Sequence, residues 1–155
     1  MHYVMVPEVF YQVQPLLFYQ RKNEMFNLLK DVDSNEFWEG AKQNKLFIQK
    51  STKSKKYFFY SRSFSGVEAD EPFEWVESTG KGTIYSFTIS HIPGGSEYYI
   101  NKTPYVIGVI LLEEGVRLMS NIVDCDHSSV EIGKKVKVVF KRLNNEIVLP
   151  CFTIV

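Results

Sequence analysis

Residues 73–91 read Phe-Glu-Trp-Val-Glu-Ser-Thr-Gly-Lys-Gly-Thr-Ile-Tyr-Ser-Phe-Thr-Ile-Ser-His, and the fold prediction rests first on this stretch. Two runs rich in aromatic and β-branched residues, 73–77 and 83–91, flank Gly80 and Gly82. Glycine readily adopts the positive φ that a tight connection needs. The stretch therefore predicts two strands joined by a sharp turn, paired with each other as a hairpin.

Side chains alternate along the second of these runs. Strand geometry places on one face Ile84, Ser86, Thr88 and Ser90, and on the other face Tyr85, Phe87, Ile89 and His91. One face is largely hydroxylic and the other is aromatic and aliphatic, which is the pattern of a half-buried strand.

Length and charge restrict the class of protein. A chain of 155 residues is long enough for one domain with a substantial core. Its 18 basic and 18 acidic residues cancel, so no overall field favours nucleic acid or an anionic membrane. The N-terminus lacks a basic segment followed by an apolar run, and no apolar stretch is long enough to span a bilayer, so we expect a cytoplasmic protein.

Residues 1–47 look like a helical extension ahead of the main domain. After Pro15, apolar residues recur at roughly helical spacing and predict an amphipathic helix over residues 16–31. This helix either packs on its own domain or docks a partner subunit, and the residues that would make the partner contact are Leu17, Phe26 and Leu29. A second short helix is predicted over residues 35–43, with Asp33 as its cap.

Charges are segregated in the middle of the chain. Residues 41–62 contain seven cations and no acid, and residues 68–77 contain five acids and no base. The favoured interpretation is that these are two sides of a hairpin that attract each other. The functional alternative is a cationic patch, formed by Lys53, Lys55, Lys56 and Arg62, that binds phosphates or an acidic partner surface.

The second half of the chain predicts several more strands. A loop over residues 92–103 precedes an almost uniformly apolar run, 104–112, that suits a strand buried on both faces. Further strand patterns follow at 116–123, 136–143 and 147–155, with a polar crossover at 124–130 that has room for a helical turn. Five or more strands with glycine turns predict a small closed or partly open antiparallel barrel.

Several motifs in this order resemble one family. They are Asn-Glu-Phe-Trp-Glu-Gly at 35–40, Lys-Leu-Phe-Ile-Gln at 45–49, Gly-Lys-Gly-Thr-Ile-Tyr-Ser-Phe-Thr at 80–88, Glu-Gly-Val-Arg-Leu-Met-Ser-Asn at 114–121 and Leu-Pro-Cys-Phe at 149–152. Together they resemble the acyl-CoA-associated family that joins a rubredoxin-like zinc ribbon to an OB-fold. The resemblance implies a mainly β fold with a ribbon-like segment at 48–72 and an OB-fold barrel at 73–155.

The same resemblance implies a role in an assembly. Members of the family serve as small subunits beside thiolase-like enzymes or hydratases that act on acyl thioesters, and the catalytic residues belong to the partner. The segment before Ser34 resembles the small subunits of bacterial acyltransferases that acetylate phloroglucinols. We therefore expect a non-catalytic subunit that bridges thiolase-like and ketosynthase-like chains in a hetero-oligomer. Partner contacts are expected at Tyr57, Phe59 and Phe64 as well as on helix 16–31, and the alternative partner is a hydratase of the hot-dog type.

The chain departs from this family at the metal site. Where the family has zinc-binding cysteines, this sequence has Ser51, Ser54, Ser65 and Glu68. Serine stays protonated near neutral pH and does not replace thiolate in a structural zinc site. We expect neither zinc nor another cofactor, and we expect the aromatic residues of 57–64 to hold the degenerate ribbon.

Neither an enzyme nor a nucleic-acid-binding protein is favoured by the remaining residues. Cys125, Asp126 and His127 are adjacent, but catalytic Cys/His pairs are usually assembled from distant parts of a chain, so we expect no catalytic residue. A competing hypothesis is single-stranded nucleic-acid binding through the aromatics of 57–60 and the neighbouring lysines. The zero net charge and the acids of 68–77 count against it.

Overall fold

The computed structural model describes residues 32–59, 72–93, 99, 101–143 and 147–155. The predicted helix with Leu17, Phe26 and Leu29 lies outside the described residues. The same is true of Arg62, Phe64, Ser65 and Glu68. Within the described ranges, no helix has the length and apolar character needed to cross a bilayer.

The described chain contains one α-helix and eight strands. A 3-10 turn, Val32–Ser34, leads into α1 (Asn35–Lys42), so that Ser34 and not Asp33 is the N-cap residue. The strands are β1 (Phe47–Ser51), β2 (Tyr57–Phe58), β3 (Phe73–Glu77), β4 (Lys81–Ser90), β5 (Tyr105–Leu112), β6 (Arg117–Ile122), β7 (Lys135–Arg142) and β8 (Val148–Ile154). A second 3-10 turn, His127–Ser129, lies in the crossover where a helical turn was predicted.

The first three strands form a small antiparallel sheet in the order β2-β1-β3. Lys50 on β1 lies opposite Glu74 on β3, and the Lys45 ammonium lies 3.2 Å from the Glu77 carboxylate. Lysines of the basic stretch therefore do face acids across the β1–β3 pair, but β2 lies between these strands in the chain, so they are not the two sides of a hairpin that the favoured interpretation held. The predicted hairpin of β3 with β4 is wrong, because β3 pairs with β1 and β4 belongs to the barrel.

A short linker, residues 78–80, carries the chain from the small sheet to the barrel. The Ser78 amide donates to the Leu46 carbonyl (2.8 Å), and the Thr79 amide donates to the Glu114 carboxylate (2.7 Å). Gly80 has the predicted positive φ, +67°, and a Cβ there would lie 2.4 Å from a methyl group of Val138. Gly82 does not share this conformation, because it is already paired within β4. Backbone hydrogen bonds of Ser78 and Thr79 and the close packing of Gly80 on Val138 therefore hold the small sheet on the barrel.

The remaining five strands form a closed barrel in the order β4-β5-β6-β8-β7. All neighbours are antiparallel except β6 and β8. This is the five-stranded Greek-key arrangement of an OB-fold. Its core contains Phe152 and Ile110, both fully buried, and extends to Leu46 and to Ile48 on β1 of the small sheet.

Two expectations about individual strands need correction. Strand β5 alternates between fully and partly buried residues and is fully buried on one face only. In β4 the pairing register shifts between Ile84 and Ser86, which marks a bulge at Tyr85. Because the extra residue reverses the alternation, Ile84 and Phe87 both pack on the core, and the prediction that they face opposite ways is wrong.

Candidate interaction surfaces

The turn between β1 and β2 is organised by a buried serine. The Ser51 hydroxyl oxygen accepts hydrogen bonds from the backbone amides of Lys53 (3.1 Å) and Ser54 (2.8 Å). The Ser51 amide donates to the Lys56 carbonyl and the Lys55 amide donates to the Ser51 carbonyl, which closes the turn. A single hydroxyl that accepts two amides thus holds the loop in shape.

This turn does not fit a zinc ion. The first of the family's ligand positions, Ser51, is 2% exposed and its oxygen is committed to two backbone donors. The second position, Ser54, is exposed. Neutral hydroxyl oxygens are poor ligands for structural zinc. The hydrogen bonds of Ser51, which the sequence did not predict, contribute to holding the turn together.

Three lysines of the predicted cationic patch extend from the same turn. Lys53, Lys55 and Lys56 are all exposed, and Lys55 takes a positive φ of +62° at the tip. Thr52 fastens the turn to the start of β3, since both its amide and its hydroxyl donate to the Pro72 carbonyl. The structure therefore brings these three lysines together on one short, anchored loop.

The aromatic residues after the turn are partly committed to the domain itself. Tyr57 and Phe59 are half-buried and pack against the core, and the Phe59 ring lies 5.4 Å from the ring of Phe37 on α1. Lys50 places its ammonium 5.0 Å from the centre of the Tyr57 ring. Only the solvent-facing parts of Tyr57 and Phe59 are available for partner contacts.

A second group of lysines lies on the barrel, where β4 meets β7. Lys81 lies directly opposite Lys137, and Thr83 lies opposite Lys135. All three lysines are exposed, and none forms an ion pair with any residue of the described ranges. Like charges placed directly opposite on neighbouring strands are unfavourable.

An open groove of about 550 Å³ lies beside these lysines. Leu111 and Val155 contribute its aliphatic surface, whereas the other apolar residues that line it, Leu112 and Val136, are at most 2% exposed. One acid, Glu113, lies at its margin, and its carboxylate accepts a hydrogen bond from the Thr79 hydroxyl (3.1 Å). The groove therefore combines some aliphatic surface with three lysines and one acid.

The outer face of the barrel continues from the groove onto β6. The bulge turns Tyr85 outward, and its ring is 46% exposed. The Arg117 guanidinium lies 3.8 Å from the centre of that ring, and Met119 on the same strand is 59% exposed. At the other end of β5, Tyr99 stacks on Tyr105. We call Lys81, Lys135, Lys137, Tyr85, Arg117 and Met119 the barrel patch.

The cysteines and Asp126 have the environments of structural residues. Cys151 is buried in the barrel, and burial raises its thiol pKa to about 11. Burial, together with the nearby Asp126 and Asp124 carboxylates, also raises the pKa of Cys125. The Asp126 carboxylate caps the 3-10 turn by accepting from the Ser128 amide, which lowers its pKa. A catalytic thiol needs a lowered pKa, so the opposite shifts argue against nucleophilic roles.

The barrel patch was not predicted from the sequence, although one signal was present. Lysines alternate at 135 and 137, which places them on one face of a strand. Their juxtaposition with Lys81 depends on the pairing of β4 with β7 across more than fifty residues of intervening chain. Pairing register of this kind is not readable from either segment alone.

Residues 75–141 match the family model for the C-terminal OB-fold domain of ChsH2. This match agrees with the strand order and confirms the predicted OB-fold. A chain of the Ltp2-ChsH2(DUF35) aldolase superposes with a TM-score of 0.72 at 28% sequence identity, covering 80% of this chain and 95% of that one.

Two curated proteins are similar to this chain in sequence. A DUF35 domain-containing scaffold protein of Methanothermobacter thermautotrophicus is 40% identical over 73 residues, 47% of this chain and 53% of that protein. The chain thus matches about half the length of this relative. A probable enoyl-CoA hydratase alpha subunit of Thermomonospora curvata is 33% identical over 123 residues, 76% of this chain and 36% of that protein.

Proposed function

We propose that this protein is a non-catalytic accessory subunit of a thiolase-like acyltransferase complex, in which it bridges catalytic chains. The observation that carries the proposal is the structural likeness to the DUF35 chain of an aldolase that is named for two components, Ltp2 and ChsH2. The name scaffold protein, given to the archaeal relative, supports the same role. The chain's own chemistry is consistent with it, because the described cysteines are in environments that raise their pKa.

The finer assignment is acyl or acetyl transfer onto a phloroglucinol-type polyketide, with thiolase-like and ketosynthase-like partners. It is supported by the sequence resemblance of the segment before Ser34. In this proposal the solvent-facing parts of Tyr57 and Phe59 contact a catalytic chain, together with Phe64 and the predicted helix 16–31. Lys53, Lys55 and Lys56 lie on one anchored loop and would attract the phosphates of an acyl donor.

A second candidate is an acyl-CoA-binding partner of a hot-dog hydratase. It is favoured by one observation, the 33% identity to a probable enoyl-CoA hydratase alpha subunit over 76% of this chain. The two candidates differ in the catalytic chain that the protein accompanies and in the reaction of the assembled complex.

The test is co-expression of the tagged chain with the thiolase-like and ketosynthase-like proteins of its own source, followed by purification and assay. We expect a stable hetero-oligomer that transfers acetyl groups to a phloroglucinol, and no transfer by the chain alone. Co-purification with a hydratase, and hydration of an enoyl thioester by that complex, would favour the second candidate. A chain that binds neither kind of enzyme would contradict both.

A further inference from the structure

We propose that the barrel patch and its groove bind an acidic, partly apolar segment of a catalytic partner subunit. This inference rests on the proposed function, since it assigns one of the two surfaces that a bridging subunit needs. It is separate from the expected contacts at Tyr57 and Phe59, which lie on the small sheet.

Charge is the first support. Elsewhere in the described chain several lysines are matched by acids, as in the ion pairs of Lys42 with Glu39 (2.6 Å) and Lys141 with Asp124 (2.6 Å). The three barrel-patch lysines have no such partner among the described residues, and two of them face each other across the β4–β7 pair. The free chain therefore carries a repulsion that an acidic partner would relieve.

Apolar surface is the second support. Leu111 and Val155 give the groove aliphatic surface, and on the same outer face of the barrel Tyr85 and Met119 expose large side chains to solvent. Arg117 is held over the Tyr85 ring, so its guanidinium is already oriented. Tyrosine, arginine and methionine are enriched at protein interfaces, and tyrosine and arginine are frequent among the residues that contribute most binding energy.

Rigidity is the third support. The patch lies on paired strands of a closed barrel, and the bulge that exposes Tyr85 is part of the β4–β5 ladder. A surface that is already ordered loses less entropy when a partner binds. The barrel patch therefore loses less conformational entropy on binding a partner than lysines on a free loop would.

A protein segment fits this surface better than nucleic acid does. A nucleic-acid groove presents cations along a phosphate backbone with aromatic rings for the bases. Here the aliphatic surface of the groove comes from Leu111 and Val155, Glu113 also lines it, and Met119 is the most exposed apolar residue of the barrel patch. Alternating acidic and apolar side chains on one extended segment would match both the lysines and the exposed apolar groups of this face.

The experiment compares two triple variants in the co-expressed complex. One variant carries Lys81→Glu, Lys135→Glu and Lys137→Glu, and its matched control carries Lys53→Glu, Lys55→Glu and Lys56→Glu. Both change the net charge by the same amount. Circular dichroism and thermal unfolding establish that each is folded. Triple glutamine and arginine versions of the barrel variant provide a milder loss and a conservative rescue.

We expect the barrel variant to bind the catalytic subunit at least a hundredfold more weakly, with partial loss for the glutamine version and recovery for the arginine version. The control variant should still assemble, and its defect should appear as a raised KM for the acyl donor. Should the glutamate barrel variant fold and assemble like the wild type, the inference is overturned while the proposed function stands. If the wild-type chain binds no catalytic subunit, or binds a single-stranded oligonucleotide through these lysines instead, both are overturned.

Discussion

The two lysine-rich regions of this protein carry the same number of clustered charges but differ in how those charges are brought together. In the turn after β1, Lys53, Lys55 and Lys56 are neighbours in sequence, and a hydrogen-bonded serine holds the loop. On the barrel, Lys81 and Lys137 are distant in sequence and meet through strand pairing. The first cluster depends on local hydrogen bonds, and the second depends on the integrity of the barrel.

Because of this difference, the lysine turn and the barrel face suit different binding partners. An exposed loop that is tied down at Ser51 and Thr52 can meet a small, charged group such as a phosphate. A broad face on a closed barrel, with apolar groups beside the charges, can meet another protein. The same number of lysines thus supports two different proposed roles.

The largest loss of stability is expected from a substitution in β4, the strand that carries part of the barrel patch. A Cβ at Gly82 would lie 2.5 Å from the Leu111 carbonyl oxygen and 3.0 Å from an Ile110 methyl group. We expect Gly82→Ala to lower the free energy of unfolding by about 2–3 kcal/mol, because backbone cannot move aside as a side chain can. Urea unfolding at neutral pH measures the change.

Gly115 is the matched control for this substitution. It has a positive φ of +83°, but a Cβ there would meet no atom within 4 Å. Asparagine tolerates this conformation, so Gly115→Asn should cost less than about 1 kcal/mol. Equal losses for the two variants would show that close packing of β4 on β5 is not what fixes the patch.

An intermediate effect is expected from the turn. Ser51→Ala removes the oxygen that accepts two amides and should lower the free energy of unfolding by about 1–2 kcal/mol. Ser86→Ala is the control, because the half-buried Ser86 hydroxyl makes no hydrogen bond to any other described residue. Thermal unfolding should show a clear loss for the first and almost none for the second.

Metal removal is a second test of what holds the Ser51 turn. Because the serine turn does not offer zinc ligands, the melting temperature of the wild type should not change with a chelator or with added zinc. A fall on chelation, with one zinc per chain in elemental analysis, would contradict the hydrogen-bonded account of the turn.

The smallest effect is expected at the outer end of the barrel patch. Tyr85→Leu removes the ring over which Arg117 is held and keeps an apolar side chain. We expect a loss of about 0.5–1 kcal/mol in the isolated chain, as for other exposed cation–π pairs. A double-mutant cycle with Arg117→Gln measures the coupling directly, and a coupling of zero would mean that the pair is not formed in solution.

Sequence patterns were sufficient to predict the barrel, but they did not predict which strand pairs with β3. Glycine turns and alternating strands predicted a closed or partly open barrel of five or more strands, and the structure has five in a closed barrel. The hairpin of β3 with β4 was wrong because β3 finds a better partner in β1, where Lys50 faces Glu74. Both pairings satisfy the same local propensities, and only the competition between partners separates them.

The two lysine-rich surfaces also differ in how far the sequence predicts them. The turn lysines were evident because their charges are contiguous in sequence. The barrel patch was not, because it depends on register between distant strands and on a bulge at Tyr85 that reverses the alternation of β4. A one-residue shift moves every later side chain to the other face, and alternation alone does not reveal where such a shift occurs.

Hydrogen–deuterium exchange on the purified complex detects directly whether the barrel patch lies at the interface with the catalytic subunit. If the barrel patch contacts the catalytic subunit, amides at 81–85, 117–119 and 135–137 should exchange more slowly in the complex than in the free chain. Amides of the Lys53 turn should gain protection when an acyl donor is added. A complex that forms with unchanged exchange across all three barrel segments would contradict the assignment of this face.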